Sequence, residues 1–361
     1  MIDDEIIQQR LTTVRAKFDE WKVDGLLIGS AANRRWLSGF TGSSGQLLVT
    51  REQAILATDS RYWQQAAQEA PLFTLFKHQR TPEDAKNFIW SAQVVKLGLE
   101  AQHTTLAEWQ QLRKIKGINW FSLPQTLEGL RGMKTAVERQ AIQAAAAITD
   151  LAMSQVNQIA KIGMTEKQLA WELEKMMREA GADSMAFPVI VASGPNSALP
   201  HYRAGERPLQ VGDILLIDMG AELNGYKSDL TRTFYLGSQP SNQFKYIYEL
   251  VQLAQTNALT HLRPGMTSQE GDALAREVIE DAGYAEHFGH GLGHSVGLEI
   301  HESPNLTWRY EENLPAQSVL TIEPGIYLPG WGGVRIEDLI YLTDEGPILL
   351  SQCRQNLVIN V

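Results

Sequence analysis

Cysteine is nearly absent. Cys353 is the only one in the chain, so no intramolecular disulfide can form. Positive charge is in deficit: 32 Lys and Arg stand against 42 Asp and Glu, for a net charge of −10. That balance argues against nucleic acid as a partner, because phosphate binding needs a basic face. Long hydrophobic runs are missing too, and none approaches the length needed to span a bilayer. The N-terminus, Met1-Ile2-Asp3-Asp4-Glu5, is acidic and shows no basic region followed by an apolar one, hence no secretory signal. These absences together predict a cytoplasmic protein with neither a membrane nor a nucleic-acid partner.

What is present is ordinary globular composition, 43% hydrophobic and 20% charged over 361 residues, enough for two domains. Through residue 125 or so, helical and strand-like patterns alternate. Gly25-Leu26-Leu27-Ile28-Gly29 reads as a buried strand. Gln46 to Val49 and Ala54 to Ala57, joined by Thr50-Arg51-Glu52-Gln53, read as a hairpin, and later runs fall at Leu97-Gly98-Leu99 and Trp120-Phe121. This predicts an α/β domain with a mixed sheet over 1–125. The pattern breaks around Pro124 to Lys134, then a long helix with Ala-rich turns through Ala146 opens a second domain, 132–361.

The second part repeats itself. Gly163-Met164-Thr165 recurs as Gly265-Met266-Thr267, and Ala180-Gly181 as Ala282-Gly283, both at an offset of 102 residues. Each pair of marks brackets an amphipathic helix. In the first copy Thr165 and Gln168 form a capping-box pattern, Leu169, Leu173, Met176 and Met177 supply the apolar face, and Gly181 suits the C-terminal cap. Then Ile214-Leu215-Leu216-Ile217-Asp218-Met219-Gly220 resembles Val319-Leu320-Thr321-Ile322-Glu323-Pro324-Gly325, an apolar strand ending in an acid and a glycine. Two copies of one unit predict a pseudo-two-fold domain with its acids meeting near the axis.

Chemistry follows from those acids. Asp218 is followed eleven residues later by Asp229, with the turn former Asn224-Gly225 between them, so a hairpin can bring both to one place. Glu323 is followed by Glu337 across Pro324-Gly325 and Pro329 to Gly333. Four unpaired carboxylates cannot share a core, since like charge and desolvation would force protonation, so divalent cations are the expected compensation. An oxygen-rich site suits hard or borderline ions such as manganese, and two ions sharing carboxylates can activate a water for hydrolysis. Four of the eight histidines cluster at His287, His290, His294 and His301, two of them within Gly289-His290-Gly291-Leu292-Gly293-His294, where glycines let backbone and ligand approach closely. His78, His103 and His261 lie outside the cluster and are expected at the surface or in the core. The nine tryptophans are expected to fill core and interface, and Cys353 is not expected to act as a nucleophile.

At these residues the chain resembles the pita-bread metallopeptidases. Asp218, Asp229, His294, Glu323 and Glu337 match that family's five metal ligands in order and context. The resemblance is strongest to aminopeptidase P and prolidase, the Xaa-Pro-cleaving branch, and weaker to methionine aminopeptidase. Residues 1 to about 125, with Asn33-Arg34-Arg35-Trp36-Leu37-Ser38-Gly39-Phe40-Thr41-Gly42 and Asp59-Ser60-Arg61-Tyr62, resemble the creatinase-type N-terminal domain, which methionine aminopeptidases usually lack. The resemblance implies two divalent ions, Mn2+ expected with Co2+ or Zn2+ as alternatives, and a proline-containing peptide as substrate. Asp218 would hold one ion, His294 and Glu323 the other, and Asp229 and Glu337 would bridge. Glu323 would shuttle the proton of the attacking water. His201, in Ala198-Leu199-Pro200-His201-Tyr202, would contact the substrate near the scissile bond, and His290 and His301 would stabilise the oxyanion and seat proline. Arg335 would orient Glu337 or meet a substrate carboxylate, with an ion pair to a neighbouring acid as the equal alternative. The resemblance further implies a homodimer. It leaves open a metal-poor binding role or a creatinase-like hydrolase acting on a non-peptide C–N bond.

Overall fold

A computed structural model describes residues 3–79, 81–354, 358 and 359. The chain divides into two compact units, Met1–Leu130 and Arg131–Val361. Among the described residues no helix is long and apolar enough to cross a membrane.

The first unit is built on strands β1 (Gly25–Ile28), β2 (Gln46–Thr50), β3 (Ala54–Thr58), β4 (Thr74–Lys77), β5 (Lys96–Glu100) and β6 (Asn119–Leu123), arranged β4-β3-β2-β1-β5-β6. β1 pairs antiparallel with β2 and parallel with β5, so the sheet is mixed, and the expected hairpin is β2–β3 with Gln46 opposite Ala57. All four residues of β1 are buried, the mark of a central strand covered on both faces. Helices Pro82–Ser91 and Leu106–Leu112 start at capping boxes, Thr81 with Asp84 and Thr105 with Glu108. Leu27, Leu48, Ile55, Phe88 and Leu97 form its core.

The second unit contains β7 (Ser184–Met185), β8 (Ile190–Ser193), β9 (Ile214–Met219), β10 (Ala221–Leu223), β11 (Tyr226–Lys227), β12 (Leu230–Leu236), β13 (Gly293–Ser295), β14 (Glu302–Leu306), β15 (Val319–Ile322), β16 (Gly325–Leu328), β17 (Gly332–Arg335), β18 (Asp338–Thr343), β19 (Gly346–Leu349) and β20 (Val358–Ile359). Its two main sheets run β20-β12-β9-β8 and β14-β13-β15-β18-β19. The internal repeat is structural. Helices Glu166–Glu179 and Ser268–Asp281 both begin at capping boxes, Thr165 with Gln168 and Thr267 with Glu270. Backbone ties recur as well: Gly163 N–H donates to Leu209 O and Gly265 N–H to Leu314 O, while Leu209 and Leu314 donate back to Met164 and Met266. Each copy closes its own core. Leu169, Leu173, Met177, Leu215 and Ile217 belong to the first, and Ala275, Ile279, Leu320 and Ile322 to the second. A long helix precedes each, Ala136–Ser154 and Asn242–His261; the first runs well past the Ala-rich turns that announced it. The expected α/β class with a pseudo-two-fold second unit is what the chain adopts.

Candidate metal centre

Strand pairing delivers the four acids. Asp218 lies in β9 opposite Thr231 of β12, and Asp229 stands one residue before β12. Between them the β10–β11 hairpin turns at Asn224 (φ 49°) and Gly225 (φ 78°), the left-handed pair that a two-residue hairpin needs. Glu323 directly follows β15, and Glu337 directly precedes β18, its antiparallel neighbour. The two copies meet where Glu337 N–H donates to Thr231 O (3.1 Å) and Thr233 Oγ1 donates to Arg335 O (2.8 Å). That seam puts one copy's pair of acids beside the other's.

Carboxylate oxygens of Asp218, Asp229 and Glu337 all lie within 4.8 Å of one another. His294 Nε2 is 3.7 Å from Asp229 Oδ2 and 3.4 Å from Glu323 Oε1. Gly293 makes this possible: a Cβ there would stand 2.0 Å from the Thr321 carbonyl oxygen, so only glycine lets β13 press against β15. His294 Nδ1 sits 3.2 Å from the Ser295 carbonyl oxygen, an acceptor that keeps a proton on Nδ1 and leaves the Nε2 lone pair facing the acids. Burial, then His301, pulls His294 down to about 3, so the ring is neutral.

Charge is badly out of balance here. Burial first, then Glu337, Asp218 and Glu323, drives Asp229 well above the usual carboxylate range; Glu337 is raised in the same way by burial and then Glu323 and Asp218. Glu323 is pushed to about 7, mainly by burial. One cation answers: Arg335 Nη2 donates to Asp218 Oδ2 at 2.5 Å, while its Nη1 reaches Tyr327 Oη (2.8 Å) and its Nε reaches Thr231 Oγ1 (3.1 Å). Of the roles expected for Arg335, this is the ion pair. Among the described residues, Asp218 Oδ1 is buried with no hydrogen-bond partner, and Nε2 of His294 faces two carboxylates with no donor between. Acceptors turned on one another in this way fit divalent cations.

Strand periodicity explains the supporting hydroxyls, which the sequence reading did not name. Thr231, two residues after Asp229, donates to Glu337 Oε2 (2.6 Å); Thr321, two residues before Glu323, donates to Glu323 Oε1 (3.1 Å). Both spacings place hydroxyl and acid on the same strand face, a period-two signal that was available. Tyr327 carried no such signal; its hydroxyl lies 2.8 Å from His290 Nε2.

A cleft of about 1120 Å³ opens over this floor, lined by all nine of the expected site residues: Asp218, Asp229, Glu323, Glu337, His294, Arg335, His201, His290 and His301. His287 is not among them and packs its ring 6.1 Å from Tyr284. His290 Nδ1 lies 2.8 Å from Gly291 O, so both its nitrogens are engaged. His301 stacks edge-on against His294 at 4.4 Å between ring centres. Of the outlying histidines, His103 faces Glu128 at 3.4 Å and His261 meets its own helix at Asn257 O. Not every tryptophan fills a core: Trp171 is 62% exposed and lines the cleft.

Comparison with known proteins places this architecture. Residues 140–344 match the model of metallopeptidase family M24, and residues 10–133 that of the creatinase/prolidase N-terminal domain. The chain belongs to metallopeptidase family M24. Among M24 relatives, the Xaa-Pro dipeptidase of Pyrococcus furiosus is 35% identical, over 98% of this chain and 100% of its own length. A solved Xaa-Pro dipeptidase from Bacillus anthracis superposes with a TM-score of 0.95 at 36% identity, covering 98% of this chain and 99% of that one. An X-Pro aminopeptidase from Thermotoga maritima gives 0.86 at 34% identity, covering 94% and 98%. This chain is thus a hydrolase of the M24 metallopeptidase class, similar along its whole length to proteins bearing both names.

Proposed function

We propose that this M24 peptidase hydrolyses the bond between a first residue and a following proline, in dipeptides or at the N-terminus of longer peptides, with two divalent cations, Mn2+ for choice. The observation that carries the reading is the set of four carboxylates and one neutral imidazole turned on one another at the cleft floor. Asp218 would hold one ion, His294 and Glu323 the other, with Asp229 and Glu337 shared. Such ions supply a water of lowered pKa and polarise the scissile carbonyl.

The chain's own groups do the rest. Glu323 takes the proton of the attacking water and returns it to the departing proline nitrogen. His201 and His301 have no hydrogen-bond partner among the described residues, which leaves their ring nitrogens for the substrate carbonyl as it becomes an oxyanion. His290, with both nitrogens engaged, contributes its ring face as a wall for proline rather than a donor. Thr231 and Arg335 hold Glu337 and Asp218 in place. A homodimer in the cytoplasm is proposed as its working state.

The test is hydrolysis of an Xaa-Pro dipeptide beside an Xaa-Pro-Yaa tripeptide, with an Xaa-Ala control, in manganese-supplemented buffer. Cleavage of the dipeptide alone assigns a dipeptidase, and cleavage of the tripeptide an aminopeptidase, for which the cleft has room. Metal bound without cleavage of either proline peptide overturns the reading, and a protein that refuses manganese points to a binding module.

A further inference from the structure

Glu166 opens the Glu166–Glu179 helix and is completely buried. Its carboxylate accepts five hydrogen bonds. On Oε1 they come from the Ser193 N–H (2.8 Å), the Ser193 hydroxyl (2.7 Å) and the Asn196 side-chain amide (3.0 Å). On Oε2 they come from the Tyr202 hydroxyl (2.8 Å) and the Gly205 N–H (3.2 Å). A carboxylate offers about four lone-pair sites, so this one is saturated and has no capacity left for a ligand. Every donor lies between residues 193 and 205, the stretch that carries His201 and lines the cleft with Tyr202, Arg203 and Ala204.

The clamp extends outward. Arg207 Nη1 donates to the Ser193 hydroxyl (2.6 Å) and both its terminal nitrogens grip Asp213 (2.5 and 2.8 Å). The His201 imidazole, by contrast, is exposed and makes no hydrogen bond among the described residues. Where it stands is decided by the backbone around it, and that backbone is held through Glu166.

The second copy repeats the device with a smaller group. Ser268, 102 residues on, occupies the same first position of its helix and is buried. Its hydroxyl lies 2.5 Å from Asn305 O and accepts from Thr307 N–H at 3.0 Å. Asn305 and Thr307 line the cleft. In both copies the first helical residue ties down the segment that forms a cleft wall. Only the copy whose segment carries a functional histidine uses a charged, five-fold acceptor.

We propose that Glu166 is a positioning residue for His201, fixing the imidazole over the substrate through the 193–205 segment; this rests on the Xaa-Pro peptidase reading. Glu166→Gln turns one acceptor oxygen into a donor facing the Tyr202 hydroxyl and the Gly205 N–H, so the segment shifts while the helix start stays intact.

The experiment is a double-mutant cycle with Glu166→Gln and His201→Ala in full-length, manganese-loaded enzyme, with metal content per chain measured alongside. Glu166→Gln lowers kcat by about tenfold to a hundredfold with KM within about twofold and metal content unchanged. In the His201→Ala background the same change costs less than about twofold, because its effect travels through that imidazole. Multiplicative losses, or wild-type kcat in Glu166→Gln, overturn the proposal. Should Glu166→Gln fail to fold, Tyr202→Phe removes one of the five donors, and its smaller loss must likewise vanish in the His201→Ala background. Amide exchange does not depend on activity. Protection of Ser193 and Gly205 falls by about tenfold or more in Glu166→Gln, and unchanged protection refutes the clamp even if wild-type enzyme cleaves no proline peptide.

Discussion

Single residues at the cleft floor divide into groups that would hold cations and groups that aim them. Asp229 and Glu337 are the most crowded acids, raised well above the usual carboxylate range by burial and by the neighbouring acids. Asp229→Ala and Glu337→Ala are each expected to abolish turnover and lower bound metal; normal turnover with full metal in either variant removes them from the site. Thr231→Val tests the aiming layer. It deletes the hydroxyl that donates to Glu337 Oε2 and accepts from Arg335 Nε, at nearly constant volume. Metal affinity or kcat should drop by about 10- to 100-fold, the usual cost of losing an outer-shell partner, and titration calorimetry with manganese gives the affinity directly. An unchanged binding isotherm and kcat would make Thr231 a bystander.

At the scale of elements, the site depends on close approaches between strands. Gly293→Ala would drive a methyl into the Thr321 carbonyl, displacing β13 from β15 and His294 with it. The expected result is a stability loss of about 1–3 kcal/mol with metal binding impaired, read from urea midpoints and metal content. A second element-level device lies just after His301. Glu302 is buried between Lys134 Nζ (2.8 Å) and Arg131 and is held down to about 2; burial opposes this, and the two cations outweigh it. Its folded value lies below its ordinary 4.5, so its contribution is fully present above pH 4.5 and is lost as pH falls toward 2. Lys134→Met strips one cation from a buried carboxylate and should cost about 3 kcal/mol at pH 7. That difference should shrink between pH 4.5 and 2 in paired urea titrations. A gap that does not narrow would show that the pair is not what holds β14 in place.

For the whole molecule, cations that bind only the folded chain stabilise it by mass action. Manganese at a hundredfold excess over its dissociation constant contributes about 2.7 kcal/mol. Chelation should therefore lower the melting temperature by several degrees and extinguish activity, and added manganese should restore both. An identical melt with and without chelator would mean that the four acids are neutralised by protons instead.

How much was legible depended on the kind of signal. Local chemistry was plain in the chain: the turn at Asn224-Gly225, the capping box at Thr165, and the apolar strands ending in Asp218 and Glu323 all follow from rules that act within a few residues. The repeat at an offset of 102 made the pseudo-two-fold readable, since one sequence pattern folds the same way twice. What the chain alone left undecided involves partners far apart in sequence. Arg335 pairs with Asp218 across 117 residues, Tyr327 joins His290 to Arg335, and Glu166 reaches the segment that carries His201. The Arg335–Asp218 contact arises only where the two copies meet beside β12, and the others only once each copy has closed, because a side chain's partner is set by which backbones approach, and no local spacing encodes that distance. The sequence by itself determined which acids and histidines could meet; the packed tertiary structure decided which of them face a shared space and which, like His287, pack elsewhere.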